Sequence, residues 1–335
     1  MKFGLALPHY DFSFPDYEPV TFERTVDVAV RAEQLGFDSV WISDHFFLSL
    51  ARYGGGDTRH GSLEALTTLA GIAARTERIR VGTLVLAAPL RHAGLLAKSA
   101  ATIDLLSNGR LDLGIGAAWY GEEFEAFGYD FETVSERFAR LEESVEMLRL
   151  LFADSPASFD GRFYKLRDAL NRPLPAQRPG PPIWIGAKGG PRALRLAARS
   201  ADGWNTVWRW TPEAYADRSR AADKICEEED RDPATLRRSL GLNCLVGEDQ
   251  EELERRYESL QRWIPGGALD SVALGGYSRD TLSGTPASIL ERLALFSEIG
   301  VEEMIINPGP VPFSLFDASM LETFAKTVIP KGRAI

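Results

Sequence analysis

One unit recurs along this chain and restricts its fold more than any other feature: an amphipathic helix, a glycine at its end, an acidic or polar residue, then a short apolar strand. The first copy reads Ala32-Glu33-Gln34-Leu35-Gly36-Phe37-Asp38-Ser39-Val40-Trp41-Ile42, and the last reads Ser297-Glu298-Ile299-Gly300-Val301-Glu302-Glu303-Met304-Ile305-Ile306-Asn307. Glycine enters the left-handed conformation that closes a helix, and a strand that is apolar throughout is one covered on both faces. Between the two copies, residues 79–86, 110–115, 182–186, 202–207 and 240–246 read as strands, each preceded by helix-like sequence, and residues 2–8 add one more. Eight strands alternating with helices are a run of βαβ units. A length of 335 residues admits one large α/β barrel or two ordinary domains.

The helices carry their own punctuation. Thr133-Val134-Ser135-Glu136 is a capping box, after which Phe138, Leu141, Val145, Leu148 and Phe152 form one apolar stripe. Thr211-Pro212 and Thr285-Pro286 each place a capping hydroxyl before a proline in the first turn. Three stretches exceed a minimal barrel: a polar, glycine-rich loop at 47–61, a small hairpin at 158–166 around Asp160-Gly161, and a Gly/Ser-rich segment at 265–284 that reads as a lid, a binding loop or a disordered connector. No linker divides the chain into two domains, so a single domain over residues 1–335 is expected.

Charge and composition exclude several classes of function. A net charge of −10 with no basic cluster argues against nucleic acid as a partner. No apolar run is long enough to span a bilayer, and Met1-Lys2-Phe3-Gly4-Leu5 leads straight into a strand, so a cytoplasmic protein without a membrane partner is expected. Cys226 and Cys244 read as reduced, buried thiols. His9, His45, His60 and His92 lack the spacing of a metal site, so none is expected.

Three constellations could carry chemistry. Asp44-His45 follows the strand ending at Ile42, and the C-terminal ends of barrel strands are where such folds place reacting groups. Histidine exchanges protons near neutral pH. Pro182-Ile183-Trp184-Ile185-Gly186-Ala187-Lys188-Gly189-Gly190-Pro191-Arg192 is a strand, a glycine loop and a helix start in succession, which suits phosphate. Its position after the fifth strand is unusual, because barrels commonly bind phosphate after strands seven and eight. Ser107-Asn108-Gly109-Arg110-Leu111-Asp112-Leu113-Gly114-Ile115-Gly116-Ala117-Ala118-Trp119 ends a strand in Gly-x-Gly, offering bare backbone to a flat ring, with Trp119 or Tyr120 at its edge.

These blocks, with 82–89 and 201–205, resemble the bacterial luciferase-like superfamily of flavin and deazaflavin oxidoreductases. The Asp-His pair and the Asn-Gly-Arg-Leu run are most similar to the branch that uses coenzyme F420. The resemblance implies a (β/α)8 TIM barrel with insertion loops at the C-terminal face, and a small organic molecule as substrate. It places a cis peptide at Leu84-Val85 beneath the tricyclic ring and the cofactor's phosphate at Ala187, Gly189 and Gly190, within the glycine loop whose Gly186 and Lys188 join the expected cofactor site. Tyr120 would line the ring, Asp44 would meet its polar edge, and His45 would stand near the hydride-transfer centre as proton donor or orienter. Relatives are often homodimers.

The chain departs from the sugar-phosphate dehydrogenases of that superfamily, which have an acid just after Gly-x-Gly and a tryptophan shortly after the histidine. Here Ala117 and Ser49 stand there, which argues against a sugar phosphate. Glu122 and Glu123 lie nearby and could substitute for the missing acid, but a solvated helix start, where acids suit the dipole, is the expected role. The expected function is hydride transfer between coenzyme F420 and an organic acceptor. The alternatives are a reduced-FMN monooxygenase on the same barrel and a cofactor-binding protein without turnover; a Schiff-base barrel lacks its strand-end lysine. The substrate pocket is expected from His9, Tyr10, Trp119, Trp208 and Trp210, with the loops 47–61 and 265–284. Few fixed charges among these suggest an apolar or weakly polar acceptor.

Overall fold

The computed structural model describes residues 1–335, with every side chain except that of Pro265. Strands β1 (Lys2–Ala6), β2 (Ser39–Ile42), β3 (Arg80–Thr83), β4 (Leu111–Gly116), β5 (Ile183–Gly186), β6 (Gly203–Trp208), β7 (Arg237–Val246) and β8 (Glu303–Asn307) pair in sequence order, all parallel. Leu5 lies opposite Val40 of β2 and Ile306 of β8, so the sheet closes on itself as a (β/α)8 barrel.

Outside it run α1 (Phe22–Leu35), α2 (Ala65–Arg75), α3 (Ala93–Leu106), α4 (Gly121–Ala126), α5 (Val134–Phe152) and α6 (Pro191–Ser200). The second half adds α7 (Pro212–Glu228), α8 (Gln250–Trp263), α9 (Leu274–Ser278), α10 (Pro286–Glu298), α11 (Ser319–Thr327) and α12 (Ile329–Gly332). Among the described residues, no helix is long and apolar enough to cross a membrane.

The recurring unit folds as its residues require. Gly36 closes α1 with φ of 86°, its N–H returning to the carbonyls of Ala32 and Glu33. The Thr133 capping box starts α5 with both of its reciprocal bonds in place. Thr211 caps α7 through its hydroxyl, but the Thr285 hydroxyl makes no such bond and faces Ser288 instead.

The lower barrel is filled by Trp41 and Trp184, whose rings meet edge to face at 6.3 Å. Gly82 makes room for one: a Cβ there would sit 2.5 Å from the Trp41 ring. Gly203 does the same for Trp184. This large-against-small filling is how a closed barrel avoids a void. Both indole N–H groups find acceptors, Trp184 at Asp112 (3.1 Å) and Trp41 at Ser39 (2.7 Å). Asp112 is ion-paired to Arg80 at 2.5 Å. Glu303 accepts from Ser39 and from Trp41 (3.4 Å), and burial pushes its carboxyl up to about 6.

Two sequence readings change. Residues 79–86 are not one strand: β3 ends at Thr83, the Leu84-Val85 peptide is cis as the resemblance implies, and a two-residue strand, Leu86–Ala87, follows. A second non-proline cis peptide joins Val207 to Trp208. The 265–284 segment is no featureless connector, because it contains α9 and a strand, Leu282–Gly284, that pairs in parallel with β7. The expected hairpin forms between Ala157–Asp160 and Lys165–Ala169, and Cys226 and Cys244 are both buried and unbonded.

Candidate active site

Ser43, Asp44 and His45 leave the end of β2 in succession, and each is anchored to a different loop. Ser43 lies 3.0 Å from Nε2 of His9 and 2.5 Å from the Tyr10 hydroxyl. His9 is fully buried, which pushes its imidazole down to about 3 and keeps it neutral. Its Nδ1–H donates to the Leu7 carbonyl at 2.8 Å, so Nε2 must accept from Ser43, and Tyr10 then donates to Ser43. The backbone carbonyl thus sets the direction of the whole chain of hydroxyls.

Asp44 is buried, and both carboxylate oxygens are engaged. Arg91 grips it with two nitrogens, the second at 2.7 Å, and the Ala87 N–H donates at 2.9 Å. Arg91 also reaches Glu64 at 2.7 Å. The paired, buried geometry fixes Asp44 as a wall of the site rather than a free arm.

His45 meets Glu123. Its Nδ1 lies 2.8 Å from Glu123 Oε1, while Glu123 Oε2 accepts the Phe46 N–H, also at 2.8 Å. An ionised carboxylate only accepts, so Nδ1 carries the proton, and Nε2 is the ring nitrogen with no protein partner among the described residues. Glu123 is 1% exposed at the first turn of α4, so its sequence reading as a solvated helix start is overturned. Glu122, beside it, is the solvated one, at 55% exposure. No sequence signal marks this pairing, because the partners lie on separate loops 78 positions apart.

The three residues face a cavity of about 500 Å³ at the C-terminal mouth of the barrel. Its floor is apolar, formed by Leu84, Val85, Leu86 and Ala87, with Gly116 and Gly186 beside Val85. A Cβ on Gly186 would lie 2.6 Å from the Val85 side chain, so glycine there is required by close approach. Thr206 also lines this space, and its hydroxyl is buried without a hydrogen-bond partner. A groove of about 950 Å³ lies outside the barrel between α5 and α6, but Arg192 is bound there to Glu142, and Arg195 and Arg199 to Glu229. Ion-paired arginines on an outer face offer no chemistry, and the smaller cavity is the candidate.

Of the residues expected from sequence, Asp44, His45, Leu84, Val85, Trp119, Gly186, Ala187, Lys188 and Trp208 line this cavity, as does Tyr10. Four expectations are corrected. His9 does not reach the cavity, because it stands behind Ser43. Tyr120 does not either: its ring packs on His45 (6.0 Å) and Phe47 (5.9 Å). Trp210 and the described side chains of the 265–284 segment also lie off the wall. Gly189 and Gly190 sit just beyond it at the start of α6, and nothing lies within 4 Å of where a Cβ on Gly190 would be. The 47–61 loop reaches the wall as expected, through Leu48, Arg52 and Tyr53, and Phe313 after β8, which the sequence left out, completes the lining.

A closed parallel barrel with a histidine dyad and an apolar floor at its C-terminal mouth defines a cofactor-binding enzyme of the TIM-barrel class. The chain belongs to the luciferase-like monooxygenase family, whose model matches residues 1–303. It is 37% identical over 307 residues to the F420-dependent glucose-6-phosphate dehydrogenase of Microbacterium testaceum (strain StLB037), covering 85% of this chain and 87% of that one. Among solved structures it resembles the monooxygenase RslO1 from Streptomyces bottropensis, with 25% identity, a TM-score of 0.78, and 98% and 99% of the two chains covered. An F420-dependent secondary alcohol dehydrogenase in complex with an F420-acetone adduct shares the fold at 20% identity and a TM-score of 0.76, with 99% of each chain covered.

Proposed function

We propose that the chain, as a single barrel domain over residues 1–335, is an oxidoreductase that passes a hydride between coenzyme F420 and a small organic substrate. The observation that carries the reading is the cavity floor. Leu84, Val85 and the bare backbone of Gly116 and Gly186 offer a flat apolar face on which a ring can lie. Kinship with an F420-dependent dehydrogenase over 85% of the chain supports that choice of cofactor.

When bound, the deazaflavin supplies a hydride-carrying carbon, and the rest is the protein's work. The floor holds the ring and excludes water. Gly189 and Gly190 present backbone at the start of α6, where a phosphate is stabilised by the helix start; Gly186 and Ala187 lead into that turn, the Ala187 N–H held by the Asn205 carbonyl, and Lys188 adds positive charge. His45 Nε2 gives or takes the proton that accompanies hydride transfer, while Glu123 holds the ring in one tautomer and orientation. Asp44, locked by Arg91, walls the polar edge of the ring site. Ala117 and Ser49, where sugar-phosphate dehydrogenases carry an acid and a tryptophan, favour an acceptor other than glucose 6-phosphate.

A reduced-FMN monooxygenase is the second reading, favoured by the 25% identity with a monooxygenase. Oxygen separates the two, because reduced deazaflavin, like nicotinamide, reacts poorly with it. Protein loaded with reduced F420 is expected to hold it in air until an acceptor is added. Rapid oxygen consumption with reduced FMN, and no F420 binding, would replace the first reading with the second. A homodimer and a cytoplasmic location belong to the same proposal. Leu95 and Leu106, exposed along α3, support the first, which light scattering tests.

A further inference from the structure

Two cations at the cavity mouth have no carboxylate partner among the described residues. Arg52 lies in the single turn Ala51–Tyr53, between the short paired strands Phe47–Ser49 and Arg59–Gly61 that follow β2. Its guanidinium carbon is 4.5 Å from the centre of the Trp119 ring. Lys188 enters from the loop after β5, with Nζ 5.2 Å from the centre of the Trp210 ring and donating to the Val207 carbonyl. Both line the cavity.

The other charged groups lining the cavity all have partners. Asp44 is held by Arg91, Arg209 by Asp280 at 2.7 and 2.9 Å, and Glu123 accepts from His45. Arg52 and Lys188 are therefore the two lining cations left without a carboxylate partner among the described residues, in a chain whose net charge is −10. The two cations also crowd each other: burial, and then the Arg52 charge, push the Lys188 ammonium down to about 8. An anion between them would relieve that repulsion. Indole faces hold the cations in place while leaving most of their N–H donors free, and a guanidinium fork matches a carboxylate or phosphate edge.

We propose that Arg52 and Lys188 form a two-cation clamp that receives an anionic oxygen group, a carboxylate or a phosphate, at the cavity mouth. The proposal deepens the oxidoreductase reading and rests on it for the meaning of the ligand. Such a group arrives on the substrate or on the tail of the cofactor. If on the substrate, the acceptor is an organic acid or a phosphate ester rather than the apolar molecule that the pocket's composition suggests.

The test uses sulfate, which keeps its charge across the working pH range, titrated calorimetrically into the cofactor-free protein. Arg52→Gln and Lys188→Gln are each expected to weaken sulfate binding by about tenfold or more, and Arg52→Lys to retain most of it. No sulfate binding by the wild type, equal binding by all variants, or a loss confined to Lys188→Gln overturns the clamp; the last would place the anion at the α6 start alone. These readouts need no cofactor, so failure of the F420 reading leaves them intact.

A second arm finds the source of the anion by titrating F420 and its tail-less deazariboflavin analogue. Variants weakened toward F420 alone place the anion on the cofactor tail. Variants unchanged toward both assign it to the substrate. Equal weakening toward both overturns the clamp, because the residues would then act on the ring site.

Discussion

Glu303 stores a pH-dependent cost at the foot of the barrel that a single substitution should remove. Its carboxyl is fully enclosed, accepts from Ser39 and Trp41, and faces the Asp112 carboxylate, with Arg237 as a weaker opposing influence. Burial comes first among the causes that move it from 4.5 to about 6. The folded chain therefore holds this proton more tightly than the unfolded one. Its contribution to stability is complete below pH 4.5 and is lost as pH rises through about 6.

A difference of about 1.5 units corresponds to roughly 2 kcal/mol, lost at about 1.4 kcal/mol per pH unit within that window. In Glu303→Gln the amide oxygen still accepts from Ser39 and Trp41, and the group cannot ionise. The variant should match the wild type near pH 4.5 and exceed it by up to about 2 kcal/mol near pH 7. Urea unfolding of both proteins from about pH 4.5 to 8 gives the difference curve directly. A difference that stays constant across that range would refute the reasoning, because it would show that Glu303 does not titrate between the two states in this window.

Three further outcomes are expected. His45→Ala should leave F420 affinity in place and lower turnover by about 10²–10⁴-fold, the ordinary worth of general acid or base assistance, as steady-state kinetics beside a cofactor titration would register. Glu123→Gln should lower kcat with little change in cofactor affinity and alter the pH–rate profile, because an amide can hold His45 Nδ1 but not balance an imidazolium; an unchanged profile would reduce Glu123 to a packing residue. Gly189→Asp should weaken cofactor binding while the barrel stays folded, since it adds a carboxylate before α6 and a side chain at a φ of 77°; wild-type affinity by fluorescence titration would move the phosphate elsewhere.

The barrel and part of its site were legible because the signals are local. A helix stripe, the Gly36 stop and the Thr133 box are each complete within a few residues, and Asp44-His45 is conspicuous because it abuts a strand end. What escaped was pairing at a distance. Glu123 looks like any acid in a first turn until the β2 and β4 loops converge on it, and Arg91 looks like a surface arginine until Asp44 meets it. His9 was misplaced for the complementary reason: the end of β1 lies near the mouth, yet its ring turns inward to Leu7 and Ser43. The charge at the mouth was missed because Arg52 sits in a loop whose path no periodicity encodes.

The anchoring of Ser43, Asp44 and His45 to three separate loops bears on how this enzyme can change. Ser43 is tied through His9 and Tyr10 to the loop after β1, Asp44 through Arg91 to the segment after β3, and His45 through Glu123 to the loop after β4. The backbone of three consecutive residues thus acts as a common axle, and a substitution that lets one tie slacken shifts the strain borne by the other two. Mutational effects in the three loops should therefore be epistatic, and a lineage acquiring a new substrate would have to alter them in a constrained order. The 47–61 loop supplies none of these three ties, Ser62 just beyond it donating to the His45 carbonyl, and it is the part of the mouth left freest to diverge.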